Sequence, residues 1–173
     1  MQYVDRSFER AMALAALSGL KMTLGPAVLA SARGWPARKN WLMAAMGEMF
    51  LDKLGVFPPR YRSSVLISHS LMGAWVARES LREDGEDDPW AVVAAGVVAA
   101  SVAVAAPVAR ISIHKLTGLP DSVLGLAEDY LALSCASDVM EVPMEQLTGA
   151  AREMIEDAGR RVRPTLESMR LPV

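Results

Sequence analysis

The chain has 173 residues, enough for one domain, and its 18 basic and 20 acidic side chains give a net charge of -2. This near balance provides no general attraction for nucleic acid, and a single cysteine excludes a disulfide framework or a cysteine-based zinc cluster. The hydrophobic share of 52% and the mean hydropathy of +0.22 are high for a soluble protein, so the distribution of apolar residues decides the class.

The first apolar stretch predicts a membrane-spanning helix over residues 11–32, with interruptions at Gly19 and at Gly25-Pro26. Proline inside a helix leaves a carbonyl without its partner, which a bilayer tolerates only where protein or water replaces that partner. Pro26 is therefore a candidate turn residue. Lys21 lies within this span, and its side chain either extends to the membrane surface or joins an internal polar site.

The second predicted helix, residues 41–54, carries Glu48, Asp52 and Lys53 in an otherwise apolar sequence. Glu48 and Asp52 are four apart and share a helix face. A helix of about 14 residues covers only about 21 Å, and each central charge costs about 2.5–3.5 kcal/mol on membrane insertion, so neighbouring helices must hold it. The proline-rich turn over residues 55–62 contains Arg60, a candidate structural or interface residue.

A third helix is predicted over residues 64–76, with Ser63 or Ser64 as its N-cap. It carries His69, which is either a hydrogen-bonded core residue or a ligand. The charge-rich residues 78–88 predict a solvated loop. Their spacing lacks the calcium-loop pattern, although a phosphate or metal role for their carboxylates stays open.

The fourth helix is predicted over residues 90–115, because Asp88-Pro89 is a favourable helix start. Residues 91–109 carry no charge, and these 19 residues nearly span a hydrocarbon core of about 30 Å. Small residues at Gly96, Ala100 and Ala103 favour close helix contacts and a possible homodimer. Pro107 is expected to interrupt this helix and is another candidate turn residue.

A fifth helix is predicted from an N-cap at Asp121 to about Ala136, and it carries Glu128 and Asp129. We assign residues 1–137 to a membrane helical domain and residues 138–173 to a C-terminal amphipathic tail. The tail is expected to dock on the domain, on the membrane surface or on a protein partner.

Two pairs of stretches repeat at nearly the same offset. Pro26 recurs 81 residues later as Pro107, and Glu48 recurs 80 residues later as Glu128, each within similar neighbours. With one helix between the two halves, the second half crosses in the opposite sense. This arrangement predicts an inverted repeat in which Glu48 and Glu128 face each other near the membrane midplane.

A set of polar motifs keeps its order over about residues 15–135. The matching residues are Gly19-Leu20-Lys21 with Pro26, Gly47-Glu48 to Asp52-Lys53 followed by Pro58, Pro59 and Arg60, and Leu119-Pro120-Asp121 leading to Glu128-Asp129. This pattern resembles a bacterial family of small integral membrane proteins known as domain of unknown function 4126. This chain departs from the family pattern at two places: we expect arginine at the position of Lys21 and proline at the position of Gly55 or Val56. The resemblance implies a membrane location and no activity.

Taken together, the patterns predict an all-α, polytopic membrane bundle of about five short or broken spanning helices in a bacterial inner membrane. We expect a transporter-like or channel-like protein without a cofactor. Its candidate intramembrane site consists of Lys21, Glu48, Asp52, Lys53, His69, Glu128 and Asp129. The alternative is a non-transporting scaffold in which these charges form structural ion pairs.

An enzymatic role is less favoured by the sequence. The third alternative is a soluble helical enzyme with a di-metal site of Glu48, Glu128, His69 and His114, but the Glu-x-x-His spacing of such helical bundles is missing. No nucleophile-elbow, Walker or dinucleotide-binding motif occurs either.

Overall fold

The computed structural model describes residues 2–53, 62–145, 147–149 and 152, with side chains for 6–52, 62–145, 147–149 and 152. Within these ranges the chain is all-α and has no strand, which confirms the predicted class. The helices are α1 (Gln2–Leu20), α2 (Leu24–Ala32), α3 (Arg38–Lys53), α4 (Ser63–Glu83), α5 (Pro89–Thr117) and α6 (Asp121–Met140).

The core surrounds the short helix α2, in which every residue from Leu24 to Ala30 is buried. Side chains from α1, α3, α4 and α6 pack against it, including Leu14, Leu42, Val76 and Ala132. A second apolar cluster joins α1, α4 and α5 through small side chains. Helix α2 is therefore the element around which the other helices are arranged.

The predicted first helix is broken once, at Lys21–Thr23, rather than at Gly19 and at Gly25-Pro26. Pro26 lies in the first turn of α2, where a missing N–H costs little, and it prevents the helical bond that residue 26 would make to Met22. Gly19 stays helical because α5 passes against it: a Cβ there would lie 2.5 Å from the Ala99 carbonyl oxygen. Hence the break falls between the two predicted positions.

Helix α4 continues seven residues beyond the predicted end at Val76, into the predicted loop. Ala77, Ser80 and Leu81 are buried at helical spacing, so this charged segment still has a face to pack against the bundle. The predicted serine N-cap is also wrong, because Arg62 occupies that position and makes no side-chain capping bond.

The predicted start of α5 is confirmed, since the Asp88 side chain accepts hydrogen bonds from the N–H groups of Trp90 and Ala91. The predicted interruption at Pro107 is wrong. Helix α5 passes through Pro107 to Thr117, so 18 helical residues precede this proline and 10 follow it. One lost backbone bond is tolerated because long helical segments on both sides stay in place.

Small residues bring α1, α4 and α5 into close contact. A Cβ at Gly96 would lie 3.3 Å from the Ser70 carbonyl oxygen and 3.4 Å from the Ala74 methyl group. The Ser70 hydroxyl also donates to the Gly96 carbonyl at 3.0 Å. The face that we associated with a homodimer therefore packs against α4 at Gly96.

Helix α6 begins at Asp121, so Asp121 is its first residue and not its N-cap, which is Pro120 without a side-chain bond. The helix ends at Met140, beyond the predicted Ala136. Val142 and Leu147 are buried in the core beside α2. The predicted tail thus begins packed on the domain, and the rest of its apolar stripe lies outside the described residues.

Polar contacts connect the carboxyl end of α4 to the first two helices. Arg10 of α1 contacts Asp84 at 3.0 Å, and Arg33, just after α2, contacts Asp84 and Glu83 at 2.5 and 3.0 Å. These pairs define one polar end of the bundle.

Candidate functional site

Glu48 of α3 binds the break between α1 and α2. Its Oε1 accepts the Met22 backbone N–H at 2.7 Å, and its Oε2 accepts the backbone N–H and the hydroxyl of Thr23 at 2.9 and 2.7 Å. These N–H groups have lost their helical partners because the chain leaves helical geometry here. The carboxylate also carries the charge that the amino end of α2 favours. Glu48 thus replaces the missing backbone partners.

His69 of α4 binds the other side of the same break. In a continuous helix the Ser18 carbonyl would accept the Met22 N–H, which Glu48 takes instead. His69 Nδ1 lies 2.7 Å from that carbonyl oxygen. A carbonyl can only accept, so Nδ1 carries hydrogen, and Nε2 is an acceptor in the neutral ring. This contact agrees with the prediction that His69 is a hydrogen-bonded core residue. The ring also borders a cavity.

Lys21 lies at the break with a side chain only 1% exposed. Its Nζ donates to Asp52 Oδ2 of α3 at 2.6 Å and lies 3.3 Å from Asp129 Oδ1 of α6. An ammonium group is costly to bury without opposite charge, so these carboxylates make its position possible. Of the two alternatives for Lys21, the structure shows the second: its side chain joins an internal polar site.

Arg110 of α5 lies beside this pair and connects it to α6. Its guanidinium binds both carboxylate oxygens of Asp121, at 2.7 and 2.6 Å, in the forked geometry that arginine favours. Its Nη1 is also 3.7 Å from both Asp52 Oδ2 and Glu128 Oε2. The guanidinium fits here because Gly125 has no side chain, and a Cβ there would lie 2.9 Å from it.

A cavity of about 460 Å³ lies between α3 and α4, with the break as its floor. Its described lining is mostly apolar and carries polar groups from Thr23, Glu48, Asp52, Ser68 and His69. A neighbouring cavity of about 410 Å³ shares Met22 and Ser68 with it and extends to Trp41 and Trp75. Asp52 lines this cavity and also contacts the Lys21 ammonium group, whereas Lys21 is not among the described lining residues.

The structure brings most of the predicted site together, but not as opposed glutamates. Glu48 binds the helix break, whereas Glu128 lies near Arg110. Asp52 and Asp129 meet at Lys21.

Other predicted residues lie elsewhere. Pro26 is at the start of α2, Pro107 is within α5 and is not a turn residue, and Asp121 binds Arg110. The Lys53 side chain and Arg60 lie outside the described residues. His114 Nδ1 contacts the Leu119 carbonyl at 2.6 Å, at the α5–α6 turn. Among the described residues no group of three or more histidine, cysteine or acidic side chains could hold a metal ion.

Sequence reasoning missed three contributors to this site: Arg110, Thr23 and Ser18. Arg110 had a usable signal, because it is the first charge after the uncharged residues 91–109 and because Asp52 and Glu128 need counter-ions. Thr23 and Ser18 had none, since their roles depend on where the helix breaks.

Comparison with protein-family models, curated proteins and solved structures returned no match. The resemblance to domain of unknown function 4126 therefore stays a prediction.

Proposed function

We propose that this chain is a small helical membrane protein that binds a solute beside the helix break and passes it across the bilayer. One observation carries the proposal: a buried lysine at a broken helix is paired with a carboxylate that lines a cavity. Broken helices with charged groups are typical of binding sites in membrane transporters, and ionisable groups inside a membrane domain are functional candidates.

Helix α5 supports the membrane part of the proposal. It is the one described helix that is long and apolar enough to cross a bilayer alone. Only 28% of its most apolar stretch is buried inside the protein, which is low for the core helix of a soluble protein. Its outward face exposes the apolar side chains of Trp90, Val93, Val97, Val104, Val108 and Ile111, and α6 exposes Leu126 and Tyr130 as well. A lipid bilayer is a suitable environment for such a surface.

Distances along the helices support a site at mid-depth. The centre of the uncharged residues 91–109 is Ala100, and Gly19 contacts the adjacent Ala99. Lys21 follows Arg10 by 11 residues, or about 16 Å of helix, close to half of a hydrocarbon core of about 30 Å. If Arg10 and Asp84 lie at one membrane surface, Lys21 would lie near the bilayer centre.

The short helices are consistent with more than one membrane segment. Helices α2 and α3 are too short or too charged to cross a bilayer alone, but their charged groups are paired with one another and with the break. Such segments are tolerated at membrane depth where protein surrounds them. The polytopic bundle, the inner-membrane location and a partner for the tail remain parts of the proposal.

A second function has specific support. The Glu48 carboxylate accepts three hydrogen bonds, and the Lys21 and Arg110 pairs join the break to α3, α5 and α6. These contacts also suit a membrane scaffold whose charges fix the helix arrangement. In a scaffold, Lys21→Met should impair folding and the added Asp129→Asn should restore part of it, while the folded wild type carries no probe across the membrane.

Transport is tested with the purified protein in lipid vesicles, by measuring uptake of protons, Na⁺, K⁺ and cyclohexylammonium. Asp52→Asn should reduce solute flux, because the cavity loses the one of its two described carboxylates that is not already bound to backbone N–H groups of the break. A charge-assisted contact worth about 1.5–3 kcal/mol predicts a fall of roughly 10-fold or more. Asp87→Asn, an exposed carboxylate in the α4–α5 turn, is the matched control. Equal flux in folded Asp52→Asn, or no flux of any probe by the folded wild type, would contradict transport.

A further inference from the structure

We propose that Lys21 is a tethered competitor for a protonated organic amine that binds Asp52 from the cavity. This inference rests on the proposed function, because it names the solute class of the same site. In the structure the ammonium group of Lys21 contacts Asp52, and an incoming ammonium group takes its place. Lys21 then pairs with Asp129, which is already only 3.3 Å away.

The cavity determines the class of ligand. Its described walls are largely apolar, from Met22, Ala44, Leu51 and Val65. A bare metal ion needs several oxygen ligands, whereas a protonated amine needs one carboxylate and apolar contact for its carbon skeleton. The volume of about 460 Å³ is within the range of small-molecule sites. A compact alkylammonium ion therefore matches both the charge of Asp52 and the apolar walls.

The two carboxylates around Lys21 differ in access. Asp52 borders both the ammonium group and the cavity, while Asp129 is not among the described cavity-lining residues. A second cation at Asp52 would repel Lys21 at close range. Because Asp129 provides another partner, Lys21 can release Asp52 without becoming an unpaired buried charge.

The other charged groups stay in place during this exchange. Arg110 is held by Asp121 on both carboxylate oxygens and is 3.7 Å from Asp52, so it screens the site in both states. Glu48 keeps its bonds to Met22 and Thr23, which hold the break. His69 Nδ1 stays on the Ser18 carbonyl. Lys21 is thus the group that the exchange moves.

The test measures cyclohexylammonium binding to the full-length protein in detergent by calorimetry, with cyclohexanol as the uncharged match. If Lys21 holds Asp52 in about nine molecules of ten, its removal should tighten apparent binding about 10-fold. The variant is Lys21→Met combined with Asp129→Asn, which removes one positive and one negative charge together. Asp129→Asn alone should weaken binding, because Lys21 then has no second carboxylate. Cyclohexanol binding should differ little among these proteins.

The two variants shift affinity in opposite directions only if Lys21 competes with the ligand. Unchanged or weaker cyclohexylammonium binding by the folded double variant would overturn the proposal, as would no binding by either wild type or double variant. If the double variant does not fold, unchanged or tighter binding by Asp129→Asn overturns it. Opposite shifts without vesicle flux would support the site and reject transport, whereas flux without opposite shifts would reject the competitor alone.

Discussion

Replacing Lys21 by methionine is expected to lower the free energy of unfolding by about 3–5 kcal/mol, because removing one partner leaves buried opposite charge uncompensated. Methionine preserves most of the side-chain volume, so the loss of stability reflects the missing charge and not a packing void. Asp52 and Asp129, both close to the ammonium group, would then repel each other. Denaturant-induced unfolding in detergent, followed by circular dichroism, measures the change.

The matched control is Lys39→Met, since Lys39 is an exposed lysine in α3. Surface substitutions of this kind usually change stability by about 0.5 kcal/mol or less. Adding Asp129→Asn to Lys21→Met should recover part of the lost stability, because the remaining carboxylate still has Arg110 nearby. A loss similar to that of the control would mean that the buried ion pair is not needed for the fold.

Replacing Glu48 by leucine is expected to lower the free energy of unfolding by about 1–3 kcal/mol, because two partly buried N–H groups lose their acceptor together. Met22 and Thr23 would lose the acceptor of their backbone N–H groups at once. Glu48→Gln keeps one acceptor oxygen and should have a smaller effect. The same unfolding measurement ranks the three proteins.

Glu9→Leu provides the control for the added apolar side chain, because Glu9 is exposed on α1. It should leave stability nearly unchanged. If Glu48→Leu and Glu48→Gln both changed the free energy of unfolding only slightly and by the same amount, the break would be held by something other than the carboxylate. A graded loss, with leucine worst, would support Glu48 as the group that closes the break.

Much of the helical fold was accessible from the sequence, for reasons that particular residues make clear. Asp88 followed by Pro89 is a local capping signal, and it gave the start of α5 within one residue. The end of α4 was missed because the charges of residues 78–83 suggest a loop, while the burial of Ser80 and Leu81 depends on tertiary packing. The effect of Pro107 on the helix was overestimated, because a single proline does not break a long helix whose flanking segments remain helical.

The site was predictable as a set of charges but not as a set of contacts. Lys21, Asp52 and Asp129 stand out because charges in apolar segments need partners. Which carboxylate pairs with which cation depends on how the helices are placed, and the sequence does not show this placement. Glu48, for example, binds backbone N–H groups instead of a cation. The repeat suggested that Glu48 and Glu128 are equivalent, yet α1–α2 is broken and α5 is continuous. The two glutamates consequently have different partners.

Spin labels along the exposed face of α5 provide the most direct test of a helix break at the centre of a bilayer. Labels at Val93, Val97, Val104, Val108 and Ile111, in a Cys135→Ser background in lipid vesicles, report accessibility to oxygen and to a water-soluble nickel complex. Oxygen accessibility should peak at Val97 and Val104, which flank Ala100, and should fall toward Val93 and Ile111. Uniform accessibility to nickel along all five positions would contradict a membrane-embedded site.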